Sequence, residues 1–169
     1  MRKLKTAFAA ALLAAAAFLP VHADAKSIVD VAKDAGTFNT LLAAATAAGF
    51  ADELDEVNNL TVLAPTDAAF AGLPPGTVDE LLKPENRDTL RAIIAYHILP
   101  NRVKTTNIPR RPILAETLNG CERVRVERKV GRKAKIFIDG VKVEAANIKA
   151  SNGYIHVIGE VLLPDRACP

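Results

Sequence analysis

The hydrophobic pattern of this chain changes period near its middle, and that change limits the fold more than any other feature. Before Asn101 the apolar residues recur at helical spacing. Ile28, Val31 and Ala32 share one face behind a Ser27 cap. Phe38, Leu41, Leu42 and Ala45 share another, which Thr37 can cap and Gly49 ends. Thr77 with Glu80 reads as a capping box for the stretch to Leu82, and the helix after Pro84 turns Leu90, Ile93, Ile94 and Ile98 inward. Beyond Asn101 the period becomes two: Val124/Val126, Ile136/Ile138, Val141/Val143 and Ile155/Val157 alternate with polar residues between Gly or Asn turns. Asn152-Gly153 is the strongest hairpin signal and calls for positive φ. Helices first and strands afterwards predict an α+β fold, not a parallel βαβ one.

The first residues read as an address. Arg2, Lys3 and Lys5 precede the unbroken apolar run Ala7–Leu19, and small residues follow at Val21-His22-Ala23 and again at Ala23-Asp24-Ala25. This is a secretory signal pattern. The run is short of the roughly 20 residues that a membrane-spanning helix needs. The sequence therefore predicts a signal peptide over 1–23, one domain over 24–169, no membrane span, and a secreted or periplasmic product. Its mature N-terminus would be Asp24, or alternatively Lys26.

Export changes the charge. Of the 22 Lys and Arg residues three leave with the leader, so the remaining bases equal the 19 acids. A neutral mature chain does not read as a nucleic-acid binder. The charge is nevertheless divided: Asp24 to Asn101 carries 12 acids and 5 bases, and Arg102 to Pro169 carries 7 acids and 14 bases. Cys121 and Cys168 are the only cysteines. An even count in an exported chain points to one disulfide, two unpaired thiols being the alternative.

Two segments carry a family likeness. Asn59-Leu60-Thr61-Val62-Leu63-Ala64-Pro65-Thr66-Asp67-Ala68-Ala69-Phe70 reads as a buried strand, then Ala-Pro-Thr-Asp, then a helical turn that Thr66 or Asp67 can cap. Ala150-Ser151-Asn152-Gly153-Tyr154-Ile155-His156-Val157-Ile158 supplies a closing Asn-Gly-x-Ile-His-x-Ile strand. Between them lie Tyr96-His97 and Leu118-Asn119-Gly120. In order and spacing these resemble the signature of the fasciclin-like domain family over nearly the whole mature chain. Gly159 departs from it, standing where the family usually has Asp, a change that can mark a bulge. The resemblance implies N-terminal helices packed on an antiparallel β-sandwich or wedge. It further implies an exported, non-enzymatic protein that meets a cell-surface or extracellular-matrix protein or an acidic polysaccharide. Carriage of an apolar ligand such as a carotenoid, or a purely structural surface role, are the alternatives. With no Trp and 5% aromatics, the chain has little material for an aromatic-lined cleft.

Catalytic chemistry finds no constellation here. His97 and His156 are far apart and lack a neighbouring cysteine pair, so no metal site of ordinary spacing and no cofactor is expected. Ser27 and Ser151 read as a cap and a turn, outside any nucleophile elbow. Asp52-Glu53 and Asp55-Glu56 read as a solvated helix face. Asn59 opens a glycosylation sequon on a strand start expected to be partly buried.

His156 reads as a packed, hydrogen-bonded residue. Tyr96 and His97 form either a partner-contact pair, as the resemblance implies for animal relatives, or a buried structural pair. The remaining candidates come from a hairpin over Arg123–Asp139 centred on Gly131. It turns Val124, Val126, Ala134, Ile136 and Ile138 inward and sets Glu127 opposite Lys135 and Arg123 opposite Asp139. Arg128, Lys129, Arg132 and Lys133 then crowd its tip. They either block edge-to-edge aggregation or hold acidic polymers or anionic lipid headgroups.

Overall fold

The computed structural model describes residues 26–129, 131 and 134–164. Three helices open the fold: α1 (Ile28–Ala35), α2 (Asn39–Ala48) and α3 (Ala51–Glu56). Strand β1 (Leu60–Pro65) follows, then α4 (Asp67–Ala71), α5 (Thr77–Leu81) and α6 (Arg87–Tyr96). The remainder is β2 (Ile98–Leu99), β3 (Ile113–Glu116), β4 (Arg123–Lys129), β5 (Lys135–Ile138), β6 (Val141–Lys149) and β7 (Gly153–Ile158), joined in part by short 3-10 turns.

The α+β expectation holds, but the sheet is mixed rather than antiparallel. Its order is β2-β1-β7-β6-β5-β4-β3, and β1 runs parallel to β7 from Leu60↔Gly153 to Pro65↔Ile158. Every residue of both strands is buried. Parallel pairs require cover on both faces, which explains why neither strand alternates with solvent. Two apolar clusters divide the interior. The first gathers the helices against Val62, Ala64, Ile155 and Val157. The second gathers β3–β6 around Leu63, Tyr96, Leu99 and Ile158.

The local signals fare unevenly. Ser27 caps α1 in a full capping box with Asp30. Thr66 caps α4, its hydroxyl accepting from the Ala69 amide at 3.2 Å. Thr37 does not cap α2. The start of that helix is met by the Asp67 carboxylate, whose Oδ1 accepts from Thr40 N at 2.8 Å and Oδ2 from Asn39 Nδ2 at 3.0 Å. Helix α5 starts from Gly76 at φ 83°, leaving Thr77 inside the helix and the expected capping box unformed. Ile98 is buried, but as part of β2 beyond the end of α6. Asn59 is exposed at φ 69°. No bulge centres on Gly159; the register shifts lie in β6, between Val143 and Ala145 and between Ala145 and Ile148.

Asp67 thus fastens α2 to the start of α4, with its carboxyl held below the usual range chiefly by the Thr40 amide. Replacing it with Ala orphans that amide and should cost about 1–2 kcal/mol, the range for lost N-caps. Urea unfolding of Asp67→Ala checks this. An unchanged midpoint would show that water serves the α2 terminus equally well.

Candidate functional site

The Tyr96-His97 pair faces inward. Tyr96 is 6% exposed and His97 1% exposed. Tyr96 Oη donates to Asp139 Oδ2 at 2.8 Å, while Asp139 Oδ1 accepts from Arg125 N at 2.7 Å, so one carboxylate ties the end of α6 to the β4–β5 hairpin. His97 Nδ1 donates to the Ile93 carbonyl at 2.8 Å, and its Nε2 accepts from Leu162 N at 3.0 Å. That pattern requires the neutral ring. Burial pushes its pKa down to about 4, partly offset by the Ile93 hydrogen bond.

His156 is arranged likewise. Its Nδ1 accepts from Asn147 N at 3.1 Å, its Nε2 donates to the Val103 carbonyl at 2.8 Å, and burial again lowers the pKa. The expectation of a packed, hydrogen-bonded ring holds. Both histidines commit both nitrogens to backbone groups, leaving neither a lone pair for a ligand. Among the described residues no group of three or more His, Cys, Asp or Glu is placed to hold a metal ion, and no helix is long and apolar enough to cross a membrane.

Asn152 does more than turn the chain. Only 3% exposed, it accepts from Ile28 N at 2.9 Å through Oδ1 and donates to the Leu54 carbonyl at 2.6 Å through Nδ2. One amide therefore serves the start of α1 and the end of α3. Neither Asn152 nor Gly153 has the positive φ that a two-residue hairpin turn would require. The glycine is needed for proximity instead: a Cβ there would lie 2.1 Å from the Leu60 carbonyl oxygen.

The basic hairpin forms with a shifted register. Glu127 faces Phe137, Arg128 faces Ile136 and Lys129 faces Lys135, so the expected Glu127–Lys135 pair does not exist. Asp139 does not oppose Arg123, which pairs with Glu116 on β3, the two 3.2 Å apart. The inward set is right for Val124, Val126, Ile136 and Ile138, but Ala134 is exposed. Arg128 lies on the core side, half-buried, and donates to the Ile108 carbonyl at 3.3 Å. It is therefore not a free charge at the tip. Arg132 and Lys133 lie outside the described residues. Cys168 does too, so the Cys121–Cys168 bond remains a proposal.

The outer face of β4–β6 holds what this register brings together. Arg125 is neutralised by Glu127 at 2.6 Å. Lys129 sits over the Phe137 ring, 4.3 Å from its centre. Lys135 stands opposite Lys129, and Lys142 opposite Phe137. None of these three lysines forms an ion pair among the described residues. Like charges directly opposed across strands are unfavourable, and the Lys129–Phe137 contact offsets only part of that. Sequence reasoning missed Lys135 and Lys142 as members of one cluster; alternation alone places Lys135 outward, but only the register sets it beside Lys129.

Comparison with known proteins agrees with the likeness read from the motifs. The fasciclin domain pattern matches residues 36–164. A Synechocystis protein, sll1483, is 41% identical over 140 residues, covering 83% of this chain and 74% of the relative. Human periostin is 30% identical over 143 residues, covering 83% of this chain and 16% of periostin. Among solved structures, a FAS1 domain pair from the insect cell adhesion molecule fasciclin I superposes with a TM-score of 0.61 at 22% identity, over 76% of this chain and 46% of that one.

Proposed function

The chain belongs to the fasciclin domain family, and we propose that it is an exported, non-enzymatic adhesion module that holds acidic surface polymers on the outer face of β4–β6. A signal peptide over residues 1–23 would deliver residues 24–169 to the outside as one domain. The insect neighbour is a cell adhesion molecule, which supports the adhesion class. The observation that carries the specific reading is the Lys129–Lys135–Lys142 cluster around Phe137. Three cations without an ion pair among the described residues, two of them opposed, lose mutual repulsion when a polyanion lies across them. The three paired strands β4, β5 and β6 fix the spacing of their backbone positions, so little backbone ordering accompanies binding.

Carriage of a large apolar ligand has less support: the apolar space between α1, α2 and β1 amounts to only about 20 Å³, and the larger cleft between α3 and α6 has the charged pair Arg91–Glu53 in its lining. The buried placement of Tyr96 and His97 supports the structural side of that pair, as a brace between α6, the hairpin and the turn at Leu162.

The test replaces Lys129, Lys135 and Lys142 with Ser and follows retention on immobilised dextran sulfate. Arg128 is spared because its guanidinium is part of the packing. The expected result is about a tenfold or greater loss of affinity at low salt, equivalent to ~1.4 kcal/mol. Wild-type retention should itself fall as ionic strength rises. A folded variant retained as well as wild type would leave the lysines with a solubility role alone.

A further inference from the structure

A cleft of about 690 Å³ runs between α3 and α6 and reaches Leu118 and Asn119 of the turn between β3 and β4. Its two walls are helix faces of matching periodicity. Asp88, Arg91, Ala92 and Ala95 line it from α6, and Phe50, Glu53, Leu54 and Val57 from α3 and its ends. An ion pair links the two walls: Arg91 Nη2 donates to Glu53 Oε1 at 2.9 Å, and its guanidinium stacks 4.3 Å from the Phe50 ring centre. Two apolar residues of the lining stay exposed, Val57 at 44% and Leu118 at 39%.

These features specify an occupant. The apolar floor asks for an aliphatic side chain. Asp88, which lines the cleft and forms no ion pair among the described residues, asks for a cation.

The same molecule presents that chemistry at one edge of its sheet. β3 pairs only with β4, so its other side offers unpaired backbone carbonyls. Leu114 on it is 63% exposed, the most of any large apolar side chain among the described residues. Arg110 and Arg111 precede it, exposed and without an ion pair among the described residues. The segment Arg110-Arg111-Pro112-Ile113-Leu114 is thus basic, aliphatic and rich in free carbonyls. Charge follows the same division, with 12 acids against 5 bases up to Asn101 and 7 against 14 after it.

We propose that the chain associates with a second copy of itself, head to tail, by seating the Arg110–Leu114 edge of one copy in the α3–α6 cleft of the next. The two patches differ, so the contact is heterologous. It does not depend on polyanion binding by Lys129, Lys135 and Lys142.

Sedimentation velocity on the mature chain tests it, with two variants at exposed positions. Leu114→Asp removes the projecting side chain and leaves the cleft; Val57→Lys spoils the cleft and leaves the edge. Wild type should form concentration-dependent oligomers that weaken at high ionic strength. Each variant alone should self-associate at least tenfold more weakly. An equimolar mixture should recover one contact and stop at a discrete dimer, since only one productive interface remains. Wild type that stays monomeric throughout would overturn the proposal. So would oligomers that survive either substitution, or a mixture that fails to pair while wild type associates. A monomeric wild type that takes up a fluorescent fatty acid, with uptake lost in Val57→Lys, would assign the cleft to an apolar small molecule and overturn it equally.

Discussion

Gly153→Ala is expected to lower the unfolding free energy by about 4 kcal/mol or more, at the extreme of single-residue effects. The added methyl would sit 2.1 Å from the Leu60 carbonyl oxygen and 2.8 Å from Ile28 Cδ1. The Ile28 methyl ends a side chain that can rotate, but the carbonyl cannot yield: it belongs to β1, paired with β7 along its whole length. The strands must part at the point where the sheet meets the helices. Since Gly153 has no positive φ, the effect is steric and does not reflect backbone preference. At roughly 2–4 °C per kcal/mol for a chain of this size, the melting temperature should drop by about 10 °C. Gly159→Ala is the control. There the obstruction is Glu144 Oε1 at 2.9 Å, the far end of a flexible side chain, and the loss should stay within about 1 kcal/mol. Equal effects from the two substitutions would contradict the close-approach account.

His97 should make the fold acid-sensitive in a defined window. Its ring is neutral in the folded state, with a pKa lowered from 6.5 to about 4. The unfolded chain therefore binds more protons between those values, and stability must fall as pH drops through that window. The contribution is fully present above the unfolded pKa and exhausted below about 4. Each pH unit between the folded and unfolded pKa values is worth about 1.4 kcal/mol, so the whole contribution is about 3 kcal/mol. Protonation removes the acceptor for Leu162 N, so the segment around Leu162 should loosen first. His156 acts in the same direction. Chemical unfolding of wild type and His97→Gln across that range isolates the His97 contribution. The variant should be weaker near neutrality yet show a shallower pH slope. Parallel curves would mean that carboxylates elsewhere set the acid response.

Much of this was legible in the residues. Ser27 and Thr66 declare their helices because a cap is a local interaction, settled within four residues. The change of hydrophobic period placed helices before strands for the same reason. What escaped was decided across long separations. Asp67 serves a helix 27 residues earlier, and nothing near Thr40 announces that partner. Asn152-Gly153 looks like a hairpin turn because the dipeptide usually serves one, yet here a distant strand and two helix ends determine both residues. The parallel β1–β7 pair was hidden because Thr61, Tyr154 and His156 interrupt the apolar runs, although all three are buried. In the hairpin, alternation gave the correct faces for most positions. The register was displaced by two residues, enough to turn a presumed Glu127–Lys135 pair into Lys129 opposite Lys135. The binding candidates changed accordingly, from a basic tip to three lysines on the outer face of β4–β6.

The most direct test compares three forms of the mature protein for binding to the cell envelope of the native host at low ionic strength: wild type, the triple Lys129, Lys135 and Lys142 to Ser variant, and Tyr96→Phe. The Tyr96 change deletes one internal hydrogen bond to Asp139 and leaves the outer lysines in place. Binding at least tenfold weaker in the lysine variant, with Tyr96→Phe indistinguishable from wild type, is the predicted result. Full binding by the lysine variant together with loss in a folded Tyr96→Phe protein would contradict the account and move the adhesive surface to the Tyr96-His97 pair.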